Sequence, residues 1–163
     1  MKTPQTKEEF FALYGKFAYV EAGGGRIKIL DNWPEKNLVV VNLPIFGKNT
    51  VHKEIADDLM DIFKVIQFYE LPVNPIYPGP ILWDGCYMPR HKMWNPTRQL
   101  SIHSWGCAVD LNANDNLPGT AGNMSPKIVE LFESRGWSWG GRWHGENCDP
   151  MHFSRCKEPI KLS

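Results

Sequence analysis

The chain lacks a surplus of either charge. Lys+Arg and Asp+Glu number 18 each, so the formal net charge is zero. Binders of a phosphate backbone normally carry a basic excess or stripe, so nucleic acid is not an expected partner. Long hydrophobic runs are also missing. The longest, Leu38 to Leu43, is interrupted by Asn42 and is far too short to span a bilayer. The opening residues, Met-Lys-Thr-Pro-Gln-Thr-Lys-Glu-Glu, hold no apolar stretch of the kind a secretory signal needs. A protein made in the cytoplasm, without membrane insertion, is the expectation. The four cysteines, Cys86, Cys107, Cys148 and Cys156, include no C-x-x-C pair, which argues against a four-thiolate zinc knuckle. In a reducing compartment they are expected to be free, small core residues. Internal repeats, low-complexity segments and linkers are absent as well, so residues 1–163 read as a single domain.

What the chain has is apolar and aromatic weight. A hydrophobic fraction of 42%, with 7 Trp and 8 Phe, is enough for a packed core and argues against disorder. Thr6-Lys7-Glu8-Glu9 fits a capping box ahead of a short helix with Phe10, Phe11, Leu13 and Tyr14 on it. Gly23-Gly24-Gly25 is a turn, after which Arg26–Asp31 is expected to pair as a hairpin with the Val-rich Asn37–Leu43 segment. Val51 to Glu70 predicts a helix, with Ile55, Leu59, Ile62, Phe63, Ile66 and Phe68 or Tyr69 at helical spacing. Pro72, Pro75, Pro78 and Pro80 then impose an extended connector. Ser125-Pro126 opens a second amphipathic helix, which stops at Gly136. The layout is α+β.

Two stretches carry chemistry. In the first, Ser101 to Asp110, a strand over Gly106–Asp110 would put Gly106, Ala108 and Asp110 on one face and Cys107 and Val109 on the other. The first face bears almost no side-chain bulk before the carboxylate, which leaves space that His103 can fold back into. In the second, Met151 and Phe153 share a strand face, His152 points the other way, and Pro150 lets Asp149 sit on a turn over the site. Two imidazoles and a carboxylate are a common catalytic zinc set, because three protein ligands leave the fourth tetrahedral position for water. Asp149 is placed to take a proton from that water. Arg90 and Arg98 are candidates to stabilise a developing oxyanion. His144 is the rival ligand and reads as cleft-lining, whereas His52 and His91 read as surface residues. Asp110-Leu-Asn112-Ala-Asn114 departs from a calcium loop at Asp115 and Ala121, so an EF-hand is rejected.

At these residues the sequence resembles the zinc D-Ala-D-Ala carboxypeptidase and L-alanyl-D-glutamate peptidase family. The family signature, Ser-x-His-x-x-Gly-x-Ala-x-Asp and later a carboxylate-x-x-His, is met at Ser101, His103, Gly106, Ala108, Asp110, Asp149 and His152. Trp139-Gly140-Gly141-Arg142-Trp143 is similar to the family as well, and the motifs span Cys86 to Phe153. The resemblance implies one zinc ion on His103, Asp110 and His152, with Asp149 as general base and acid. It implies Arg90 as the group polarising the substrate carbonyl and Ser101 as a supporting residue. Trp139 and Trp143 would wall the cleft or pack substrate. The implied fold is the small α+β domain shared with the hedgehog signalling domain, its antiparallel sheet carrying the metal.

Carboxypeptidase and dipeptidase members commonly have Glu where this chain has Asp149. Asp there resembles the phage endolysin branch, which cuts between L-Ala and D-Glu in peptidoglycan stem peptides. An endolysin without a wall-binding module, monomeric and waiting in the host cytoplasm for release to the wall, is the implied reading. A D,D-carboxypeptidase or D-Ala-D-Ala dipeptidase on the same site is the alternative, as is a non-catalytic virion or wall-binding module.

Overall fold

The computed structural model describes residues 2–76 and 85–162. Helix α1, Lys7–Tyr14, opens with Thr6 as the expected N-cap, while the return bond of the capping box falls on Gln5 in place of Thr6. Thr6 Oγ accepts from the Glu9 amide at 3.2 Å, and Glu9 reaches back to the Gln5 amide at 2.8 Å. Two hairpins follow. Strand β1, Tyr19–Gly23, pairs antiparallel with β2, Arg26–Ile29. After the short helix α2, Trp33–Asn37, strand β3, Leu38–Leu43, pairs with β4, Gly47–His52. The expected pairing of Arg26–Asp31 with Asn37–Leu43 is therefore wrong. Each strand closes on a neighbour through a tight turn, at Gly24-Gly25 and at Pro44-Ile45-Phe46, and a short loop costs less entropy than one spanning α2.

Helix α3, Lys53–Phe68, buries Ile55, Leu59, Ile62, Phe63 and Ile66. It begins two residues later than expected because Val51 and His52 finish β4, and His52 becomes its N-cap. Phe68 and Tyr69, one or other of which is expected on the apolar stripe, are both exposed where the helix runs out. Pro72 and Pro75 lie in irregular backbone, while Pro78 and Pro80 fall outside the described residues. Helix α4, Pro126–Ser134, follows Ser125 as its N-cap and buries Ile128, Val129 and Phe132. Arg135 and Trp137, just past α4, both bond Asp58 of α3, at 3.2 and 2.8 Å.

The sheet that positions the site has three short antiparallel strands in the order β5 (Ala108–Asp110), β7 (His152–Ser154), β6 (Ser138–Trp139). Its register pairs Val109 with Phe153 and Asp110 with His152. Side chains alternate across a strand, so Val109 and Phe153, both 0% exposed, enter the core while Asp110 and His152 share the other face. One cluster of buried side chains joins α1, α3, α4 and this sheet, and the architecture is α+β. Among the described residues no helix is long and apolar enough to cross a membrane.

Gly106 does not belong to β5. It caps the turn before the strand at φ +64°, and an added Cβ would lie 3.0 Å from the His52 backbone nitrogen. Its lack of a side chain serves that turn and its close approach to β4, and does not clear space above Asp110.

Candidate metal centre

His103 reaches Asp110 and His152 from a 3-10 turn over Ile102–Trp105. Ser101 caps that turn, its Oγ accepting from the His103 amide at 3.4 Å. Ser104 Oγ donates to the Arg90 carbonyl and accepts from the Arg90 amide, each at 3.0 Å, so the turn is tied to the segment before it. The outcome is a triangle. His103 Nε2 lies 3.1 Å from His152 Nδ1 and 3.1 Å from Asp110 Oδ1, and His152 Nδ1 lies 3.0 Å from the same oxygen. All three residues are buried.

The donor set fits zinc. Ligands around a tetrahedral zinc, at bond lengths of about 2.0–2.1 Å, stand roughly 3.3 Å apart, close to the spacing here. The outer ring nitrogens strengthen the fit. His103 Nδ1 donates to the Cys86 carbonyl at 2.8 Å, which leaves Nε2 as the lone-pair nitrogen of a neutral ring. His152 Nε2 is 3.2 Å from Glu158 Oε1, and a proton held there leaves Nδ1 for the cluster. His103, Asp110 and His152 are thus positioned as a metal site.

Electrostatics follow from the burial. Without a metal, hydrogen bonds to Asp110 and Glu158 outweigh desolvation and raise His152 to about 10. Burial holds His103 below its ordinary value, against the pull of Asp110. The paired imidazoles keep Asp110 well below the usual carboxylate range despite its burial.

Asp149 stands at the turn into β7, where the His152 amide donates to its carbonyl at 3.1 Å. Its own amide donates to the Gly140 carbonyl at 3.0 Å. Its Oδ1 is buried without a hydrogen-bond partner among the described residues. Burial, with the Asp110 charge nearby, pushes its carboxyl up to about 6. Arg90 has a buried Nε with no hydrogen-bond partner among the described residues and stacks its guanidinium 4.9 Å from the Trp94 ring centroid. Burial lowers it, and the charges of Asp110 and Asp149 pull it back up.

These groups line one cleft of about 1480 Å³, together with Arg98, Ser101, Trp139, Trp143 and His144. Trp143 lies 5.5 Å from the His152 ring, and Trp139 packs along Phe153 and donates to the Pro150 carbonyl at 2.9 Å. His144 lines the cleft but is not in the triad.

Three smaller expectations fail. His52 and His91 are buried, not on the surface. His52 packs against Tyr14 and Trp33, and His91 pins the Glu21 carboxylate at 3.0 Å and the Arg98 carbonyl. Cys148 is half-buried, unlike the fully buried Cys86, Cys107 and Cys156, although all four are free. The rejected calcium loop has another use, since Asn112 bonds the Asn74 amide at 2.8 Å and the Pro72 carbonyl at 2.7 Å.

Glu158 and the Cys86 carbonyl went unseen in the sequence. A carbonyl has no residue-type signature, and Glu158 stands in Cys156-Lys157-Glu158-Pro159, outside any recognisable motif.

A His₂Asp cluster lining a cleft with a buried carboxylate and an arginine is an arrangement that metal-dependent hydrolases use. A family model described as D-alanyl-D-alanine carboxypeptidase matches residues 94–155, and the match supports a metallopeptidase. The matched segment holds His103, Asp110, Asp149 and His152 and leaves out Arg90 and Glu158. Neither the curated proteins nor the solved structures compared with the chain gave a match.

Proposed function

We propose that the chain is a zinc-dependent peptidase of peptidoglycan stem peptides, cutting between L-Ala and D-Glu in the manner of a phage endolysin. His103, Asp110 and His152 are the ligands of one zinc ion. One observation carries the reading: three ligand atoms converge within 3.1 Å of one another while each imidazole's second nitrogen is engaged outside the cluster. Zinc in such a site supplies Lewis acidity and brings the pKa of water towards neutrality.

The chain's own residues do the rest. Asp149 takes the proton of the attacking water and returns it to the leaving amine. A carboxyl lifted to about 6 is matched to that exchange near neutral pH. Arg90 supplies positive charge where the scissile carbonyl oxygen becomes negative. Ser101 holds the turn that aims His103, and Trp139 and Trp143 form apolar walls for the peptide. The α+β frame is that of the D,D-peptidase and hedgehog group. The protein acts as a monomer, held in the host cytoplasm until release to the wall.

Asp149 in place of Glu favours the endolysin cut. The matched family's description favours a second reading, removal of terminal D-Ala. Mass analysis of products from purified peptidoglycan, with and without a chelator, separates them. Chelator-sensitive release of peptides beginning at D-Glu is expected. Release of terminal D-Ala alone would make the chain a carboxypeptidase, and wall binding without any product would make it a non-catalytic module.

A further inference from the structure

Glu158 is a buried carboxylate that the catalytic reading leaves without a task. Its side chain is 1% exposed, and an ionised carboxylate at that depth requires partners. It has two, one on each oxygen. Oε1 lies 3.2 Å from His152 Nε2, and Oε2 accepts from Lys92 Nζ at 3.0 Å. The Glu158 amide donates to Ser138 Oγ at 3.2 Å, and that hydroxyl donates to the Cys156 carbonyl at 2.7 Å. The segment carrying Glu158 is thereby stitched to β6, the edge strand of the metal-site sheet.

We infer that Glu158 is a positioning residue for the metal centre: it holds the His152 ring by its far nitrogen, while Lys92 fixes the carboxylate that does the holding. The inference rests on the zinc reading above. An imidazole on a strand can still turn about its Cβ–Cγ bond, and the Asp110↔His152 register alone does not decide which nitrogen faces the cluster. The Glu158 contact decides it. With the Nε2 proton directed at Oε1, Nδ1 is the nitrogen left towards Asp110 and His103. An anionic acceptor also makes the ligating nitrogen a stronger donor to a metal than a neutral one does. The two histidines therefore differ in their support. His103 leans on a backbone carbonyl that no substitution removes, whereas His152 leans on a side-chain charge drawn from outside the family-matched segment.

The test is zinc affinity, measured by competition with a chromophoric chelator on the full chain. Loss of such an outer partner costs about 10- to 100-fold in metal affinity, and that loss is expected for Glu158→Gln, which keeps the side chain's shape. Cobalt(II) in place of zinc gives a second readout, since its visible bands shift when a ligand ring turns. Lys92→Met keeps the carboxylate and should weaken zinc by less than Glu158→Gln does, through loss of its anchor. It carries the test if Glu158→Gln does not fold. Wild-type zinc affinity and an unchanged cobalt spectrum in the folded variants would overturn the positioning role and leave the peptidase reading standing. A wild-type chain that binds no zinc would overturn both.

Discussion

Replacing Asp149 by alanine separates catalysis from metal binding. Asp149 contributes no atom to the triangle of His103, Asp110 and His152, and its backbone bonds to Gly140 and His152 use groups that alanine keeps. The site geometry should survive, and zinc affinity should stay within about tenfold of the wild type, the expected loss being that of one nearby negative charge. Turnover of purified peptidoglycan should fall by about 10²–10⁴-fold, the typical contribution of a general base.

Stability should move the other way. Asp149 Oδ1 is buried with no hydrogen-bond partner among the described residues, and a group in that state costs about 1–3 kcal/mol. Its removal should stabilise the metal-free protein by a comparable amount, raising Tm by roughly 2–4 °C for each kcal/mol. Initial rates, chelator competition and a thermal melt of the same preparation supply all three quantities. An activity loss below tenfold would refute the role of Asp149 as base. A fall in metal-free Tm would show that the carboxylate is satisfied in the native state and that its burial carries no cost.

Two further perturbations probe what surrounds the site. In Gly140→Ala the new Cβ would lie 2.4 Å from the Asp149 carbonyl oxygen, so the base must shift while the three ligands stay on their own elements. Peptidoglycan turnover should drop by at least tenfold with zinc still bound, and full activity would mean that the Asp149 turn is not held in place by this contact. His52 provides the pH test. Its Nδ1 accepts from the Glu54 amide at 3.2 Å and its Nε2 faces the Tyr14 carbonyl at 3.3 Å, the pattern of a neutral ring, and burial lowers it from 6.5 to about 4. A depressed folded-state value means the contribution is whole above pH 6.5 and is lost as pH falls towards 4. Up to about 3 kcal/mol is at stake. Urea midpoints of the metal-free protein should decline across that window, and less steeply in His52→Gln; parallel curves would exclude His52 as the cause.

The parts of the site that could be read from the sequence are those that depend on local periodicity. Asp110 and His152 each alternate with apolar neighbours, Val109 with Met151 and Phe153, so strand parity turns both away from the core before any partner strand is known. The structure then sets them opposite one another across β5 and β7. Pairing between strands is a different kind of fact. Arg26–Asp31 and Asn37–Leu43 both have strand character, but turn geometry chooses the partner, and the flanking Tyr19–Gly23 and Gly47–His52 segments had weaker patterns of their own. The buried histidines show the same limit from another side. His52 and His91 have polar neighbours in the chain, and groups distant in sequence, Tyr14 and Trp33 for one and Glu21 for the other, pack against them. The outer support of the metal site is the extreme case. Glu158 acts on His152 across a gap set by the stitching of Cys156 to Ser138, and the carbonyl of Cys86 acts on His103 through backbone alone. Ligands are chosen by residue type and leave a pattern; the groups that orient them are chosen by position, and position exists only once the chain has folded.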